Sequence, residues 1–236
     1  MKFDVSYYSA KGDRANNEDF VSVKKRGSVL LAVCADGLGG HDNGEIASKT
    51  AVNCINKALK NKPLSAQALE QAVEEANLAV LDRAENSEMK TTISVVWIAD
   101  DKALAATVGD TRVYVFRDKE ILFMSTDHSV SQLSVMAGEI TTDEIRGHKD
   151  RNKLVRVLGG RENVKSDITE IQLEPGDAFL LCSDGFWENI VEADMLSSLS
   201  ESKKAKDWLS KMRQTVDSVP DADYDNNSAI TLIALK

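Results

Sequence analysis

Five aspartates stand where short apolar runs end or begin, and their placing is the first sign of chemistry in this chain of 236 residues. Residues 30–36 read Leu-Leu-Ala-Val-Cys-Ala-Asp, residues 179–184 read Phe-Leu-Leu-Cys-Ser-Asp, and a glycine, Gly37 or Gly185, follows each aspartate. Each run has the pattern of a core strand that delivers a carboxylate at its end. Asp19 in the stretch from Arg14 to Asp19, Asp110 in Gly109-Asp110-Thr111-Arg112, and Asp225 beside Asn226 complete the set. Carboxylates gathered at strand ends suit a hard divalent cation, which takes oxygen ligands.

Around Asp36 the sequence continues Gly37-Leu38-Gly39-Gly40-His41, a stretch in which the backbone can turn sharply and bring a carbonyl close to whatever Asp36 holds. An Asp-Gly pair also serves as a hairpin turn, but here a helical pattern follows instead of a partner strand. Asp184-Gly185 leads into bulky residues, Phe186-Trp187, which do not fit a tight hairpin. Turns of this kind are expected to converge from adjacent strands. Asp225 taken alone reads as the start of an ordinary loop.

Arg14 offers a planar guanidinium fork matched to a tetrahedral oxyanion, although its type alone also suits a solvent-facing role. His41, one of three histidines, lies within the glycine-rich loop and is a candidate acid or base as well as a structural residue. No Cys or His pair has zinc spacing, so an oxygen-ligand set favours magnesium or manganese. The fingerprints of dinucleotide-binding, P-loop and serine-hydrolase sites are absent from the sequence.

The elements that must position these residues follow from the hydrophobic pattern. Strands are expected over 3–9, 20–25 and 29–35, with Arg26-Gly27-Ser28 as a hairpin turn, then helices over 44–59 and 65–85 separated at Pro63. Runs at 93–99, 104–108, 112–116 and 120–124 predict a four-strand meander. A polar stretch over 127–152 holds a short helical piece, and the part at about 129–152 is expected to be a functional flap. Strands over 169–173 and 177–182, helices over 193–199 and 205–216, and a strand over 228–235 close the chain. This order predicts an α+β fold, two antiparallel sheets packed together with helices outside.

Composition narrows the partners. No linker-like segment interrupts the chain, and its prolines, Pro63, Pro175 and Pro220, fall outside periodic segments, so one domain over 1–236 is expected. A formal net charge of −9 argues against nucleic acid, whose phosphates need clustered cations. Cys34, Cys54 and Cys182 are odd in number and sit in apolar runs, which points to a reducing compartment. With no apolar run long enough to span a bilayer, the expectation is a cytoplasmic protein without a membrane partner.

Taken in order along the chain, these motifs resemble those of bacterial metal-dependent serine/threonine protein phosphatases of the type 2C family. The residues that carry the resemblance are Arg14-Ala15-Asn16-Asn17-Glu18-Asp19, Asp36-Gly37-Leu38-Gly39-Gly40-His41 with Gly44-Glu45-Ile46-Ala47-Ser48, and Thr91-Thr92. Further along they are Val108-Gly109-Asp110-Thr111-Arg112, Thr126-Asp127-His128-Ser129, Arg156-Val157-Leu158-Gly159, Cys182-Ser183-Asp184-Gly185 and Asp225-Asn226. The chain departs from the family pattern at Leu38, Lys90 and Ser228.

The resemblance implies a four-layer αββα sandwich with two Mn2+ or Mg2+ ions at one end and a weaker third. It implies Asp36 bridging two ions, the Gly37 carbonyl on one, Asp184 and Asp225 on the other, and Glu18 and Asp19 at the first pair. Asp110 would join Asp184 at the third ion. The implied reaction is hydrolysis of phosphoserine and phosphothreonine on proteins by direct attack of a metal-bridging hydroxide, with Arg14 orienting the phosphoryl group and His41 or a bound water protonating the leaving alkoxide. The implied partners are phosphoproteins and a serine/threonine kinase system, with a monomer as the simplest assembly. Two other readings stay open on sequence alone: an inactive binding module on the same fold, and an enzyme acting on small phosphate esters.

Overall fold

The strands that end in aspartates are apolar along their length because both of their faces are covered. The computed structural model describes residues 1–38, 43–84, 88–219 and 225–235. Strands β1 (Lys2–Ala10), β2 (Phe20–Arg26), β3 (Val29–Ala35) and the two-residue β4 (Gly37–Leu38) precede helices α1 (Asn43–Ala58) and α2 (Ala66–Ala84). The chain continues through the two-residue β5 (Lys90–Thr91), β6 (Ile93–Ala99), β7 (Lys102–Val108), β8 (Arg112–Arg117) and β9 (Glu120–Met124). After α3 (Val130–Met136) and a 3-10 turn (Thr142–Gly147) come β10 (Asp167–Gln172), β11 (Ala178–Cys182) and the short α4 (Asp184–Trp187). Helices α5 (Glu192–Ser200) and α6 (Ala205–Asp217) and strand β12 (Asn227–Leu235) complete the described elements.

Two antiparallel five-stranded sheets, ordered β1-β12-β11-β8-β9 and β10-β7-β6-β3-β2, pack face to face. Period-two alternation divides each central strand between two cores. Leu30, Ala32 and Cys34 of β3 join Val113, Phe179 and Ile230 between the sheets, whereas Leu31, Val33 and Ala35 meet Ala51, Val52, Ile55 and Val73 from α1 and α2. On the other outer face Tyr114, Phe116 and Leu180 pack with Met195 of α5 and Trp208 and Met212 of α6. The result is the α+β, four-layer αββα sandwich that the pattern and the resemblance predict.

The expected four-strand meander is instead two hairpins in different sheets: β6 and β7 pair in one, β8 and β9 in the other. The chain changes sheets at Gly109, whose φ of +100° is open to glycine and strained for other residues. A Cβ there would also stand 2.5 Å from Thr92 Cγ2. The strand expected over 169–173 begins two residues earlier, because β10 takes its register from β7, Asp167 opposite Thr107 and Gln172 opposite Lys102.

The polar stretch after β9 is anchored in its second half. Ile145 is buried in the α5–α6 core, Arg146 donates to Trp187 O at 3.0 Å and Ile190 O at 3.2 Å, and Arg151 pairs with Glu188 at 2.7 Å. Its first half, α3, leaves Leu133 and Met136 exposed.

Candidate metal centre

Sheet register collects the aspartates. Phe20 pairs with Ala35, and Cys182 lies between Arg112 and Ala229, so the ends of β3 and β11 and the starts of β2, β8 and β12 share one edge of the sandwich. Asp36 and Asp184 therefore arrive from facing sheets rather than from adjacent strands as the sequence suggested. Arg14, Glu18, Asp36, Gly37, Asp110, Asp184 and Asp225 line one cleft of ≈ 320 Å³, with Leu38, Asn152, Leu154 and Asn226 completing its walls. Asp19 lies beneath, buried, where its carboxylate accepts a hydrogen bond from Ser183 Oγ at 2.7 Å. Of the expected site residues, only His41 lies outside the described residues.

Each carboxylate is held by backbone that is itself clamped. Thr92 N donates to Asp36 O at 2.8 Å, Thr91 Oγ1 donates to the same carbonyl at 2.7 Å, and Asp36 N donates to Thr92 Oγ1 at 3.1 Å. Gly37 then passes so close to α1 that a Cβ would stand 2.1 Å from Gly44 O. Ser48 of α1 donates to Glu18 O at 2.6 Å, and Gly37 N donates to the same oxygen at 3.1 Å. Asn226 ties the N-terminal loop to the final strand: its Oδ1 accepts from Glu18 N at 2.7 Å, and its Nδ2 donates to Lys11 O and Asn16 O at 2.9 Å.

Asp110 is positioned by a buried polar network. Trp187 Nε1 donates to Asp110 O at 2.9 Å, and Gly109 N donates to His128 Nδ1 at 2.9 Å. Arg112 forks onto Asp127 at 2.9 and 2.7 Å, and its guanidinium carbon lies 3.5 Å from the centre of the Trp187 ring. These contacts fix the β7–β8 crossing, which packs through Gly109 and Thr111 against Thr92, the residue that clamps Asp36.

The cluster is short of positive charge. Burial first, then the charges of Asp184, Asp19 and Asp110, push the Asp36 carboxyl well above the usual carboxylate range. Burial and Asp184 raise Asp110, burial and Asp225 raise Asp184, and burial lifts Asp19 to about 7 against its hydrogen bond from Ser183. Asp19 Oδ1 and Asp110 Oδ1 are buried with no hydrogen-bond partner. A buried oxygen left this way is costly unless something occupies it, and oxygen-only donors fit a hard divalent cation. Among the described residues no three His, Cys, Asp or Glu side chains close tightly on one point. Backbone carbonyl and water would complete the shell, which is the habit of magnesium.

Arg14, at the rim, pairs with Asp225 at 2.5 Å, and this contact raises its own pKa. The supporting residues Asn226, Ser183, Asp127 and His128 stand within the quoted motifs, yet sequence reasoning gave them no role. Their partners are 15 to 208 residues away in examples such as Arg112 with Asp127 and Glu18 with Asn226, so only the assembled fold displays them.

Comparison with known proteins agrees with this geometry. The serine/threonine protein phosphatase PstP of Mycobacterium tuberculosis is 34% identical over 206 residues, which is 83% of this chain and 39% of that longer protein. The serine/threonine phosphatase stp of Listeria innocua is 30% identical over 213 residues, 84% of each chain. The crystal structure of the PstP catalytic domain with two manganese ions superposes with a TM-score of 0.85 at 27% identity, covering 100% of both chains. Residues 8–225 match the family description Protein phosphatase 2C, and the chain belongs to that family.

Proposed function

We infer that this chain is a magnesium- or manganese-dependent protein serine/threonine phosphatase, a phosphoric monoester hydrolase that opposes serine/threonine kinases. The observation that carries the reading is the cleft itself, where burial raises Asp36, Asp110 and Asp184, the charge of Asp184 raises the first two further and that of Asp225 raises Asp184, around a space that added positive charge relieves. We assign Asp36, the Gly37 carbonyl, Asp184 and Asp225 to two cations, with Glu18 and Asp19 acting at the first. The orphaned oxygen of Asp110, beside Asp184, supports a third and weaker one.

When bound, such cations supply the charge that offsets the phosphoryl oxygens and bring the pKa of water toward about 7. The chain's own residues do the rest. Asp36 and Asp184, fixed by the Thr91–Thr92 clamp and by α4, define where the reacting phosphorus sits. Arg14 presents its guanidinium at the rim, where it meets the nonbridging phosphoryl oxygens and favours the charge that builds on them. We assign the attacking oxygen to water: among the described residues the cleft holds no serine, cysteine or histidine, and its carboxylates are the groups assigned to the cations. His41, close to Asp36 in sequence, is proposed to protonate the leaving alkoxide.

The substrates proposed are phosphoproteins, reached from the cytoplasm by a monomer of one domain, with 129–152 as the segment that meets the substrate peptide. Asn152 and Leu154 already border the cleft. The described helices include none long and apolar enough to cross a membrane. Phosphate release from a phosphothreonine peptide, measured with manganese, with magnesium and with chelator, tests the reading. Release with either metal and none with chelator is expected; equal release in all three would overturn it.

A further inference from the structure

At the opposite end of the helix-covered sheet lies a second cavity, of ≈ 150 Å³, that the catalytic reading does not use. Its floor is apolar and buried: Leu31 of β3, Leu59 after α1, and Trp97 of β6, which is 1% exposed. An apolar cavity of about this size accepts a benzene ring. Its mouth is cationic. Lys24 and Arg26 come from β2, and Lys60 and Lys62 from the connection after α1, where Asn61 at φ +62° turns the chain. None of these four cations takes part in an ion pair among the described residues. On a chain of net charge −9 such a cluster runs against the overall sign.

Lysines on an edge strand also discourage pairing between copies, and that accounts for Lys24 and Arg26. It does not account for an aromatic-floored cavity between them, nor for two more cations brought from a different element. We propose that this cavity is a docking site for an acidic peptide segment of a protein partner, one bulky apolar side chain entering over Trp97 while flanking carboxylates meet Lys24, Arg26, Lys60 and Lys62. An extended peptide suits the place, because β2 is the terminal strand of its sheet and the backbone groups on its outer side face away from β3. The site is roughly 20 Å from Asp36, the length of β3, so a partner held there leaves the catalytic cleft open. The proposal stands independently of the catalytic assignment.

The three tryptophans separate the outcomes. Trp97 floors this cavity, Trp187 holds the Asp110 loop, and Trp208 lies in the α5–α6 core. The full chain, 15N-labelled and with magnesium, is titrated with the blocked peptide Asp-Glu-Phe-Glu-Asp while the three indole N–H signals are followed. The Trp97 signal is expected to shift saturably and the other two to stay. Replacing Phe by Ala in the peptide, or Lys24→Glu with Lys60→Glu in the protein, should weaken binding about tenfold or more. Both lysines are exposed, so the variant keeps its core, and the altered peptide is an arm that needs no variant. Absence of saturable shifts, movement of Trp187 instead, or unchanged affinity in the Lys24→Glu/Lys60→Glu variant would overturn the proposal. So would benzoate moving Trp97 with the same affinity as the peptide, since the cavity would then take a small aryl anion.

Discussion

Buried carboxylates are the residues on which this molecule turns. Burial pushes the Asp19 carboxyl up to about 7 from an ordinary 3.8, and it raises Asp36, Asp110 and Asp184 as well. Between those limits the folded state binds protons that the unfolded chain releases, so the metal-free protein gains stability as pH falls from about 7 toward 4. Cations and protons compete for the same oxygens. The rise in thermal midpoint on adding magnesium is therefore expected to be larger at about pH 7.5 than at about pH 5.5; equal rises would mean that these carboxylates are not the ligands. Asp36 and Asp184 were legible in the sequence because each ends an apolar run, and Asp225 only through the resemblance. Asn226, whose side chain bonds Glu18 N, Lys11 O and Asn16 O, was not, since an asparagine beside an aspartate in a loop carries no periodic signal.

At the scale of elements, the β7–β8 crossing holds Asp110 in place through Arg112, Asp127, His128 and Trp187. Arg112 and Asp127 are each 2% exposed at the side chain, and removing one partner of such a pair leaves an uncompensated buried charge. Arg112→Met is expected to cost about 3 kcal/mol in urea unfolding, and adding Asp127→Leu should recover part of that loss. A double variant no more stable than Arg112→Met would show that the ion pair is not the source. Continuous apolar runs made β3, β6 and β11 readable, and heptad-like spacing made α1 and α2 readable. The separation of β7 from β8 was hidden, because both neighbouring hairpins look alike in sequence and the change of sheet depends on Gly109 packing over Thr92.

At the scale of the whole molecule, two sheets supply carboxylates to one edge, helices shield their outer faces, and the segment over 129–152 stands beside the opening. Its second half is strapped down by Ile145, Arg146 and Arg151, while α3 presents Leu133 and Met136 to solvent. Exchanging 129–152 for the matching segment of a relative is expected to change preference among phosphopeptides with little effect on p-nitrophenyl phosphate; unchanged peptide preference would remove the segment from substrate selection. Two packed antiparallel sheets with helices outside were legible from the order of strands and helices, but the cationic cavity over Trp97 was not, because its walls come from β2, β3, β6 and the end of α1. The central claim is that a carboxylate-held cation centre between the two sheets hydrolyses phosphoprotein esters. Its most direct test is phosphate release from a phosphothreonine peptide with manganese, for the wild type and Asp184→Asn side by side. The account predicts metal-dependent release by the wild type and a fall of about a hundredfold or more in the variant, whereas wild-type release by Asp184→Asn would contradict it.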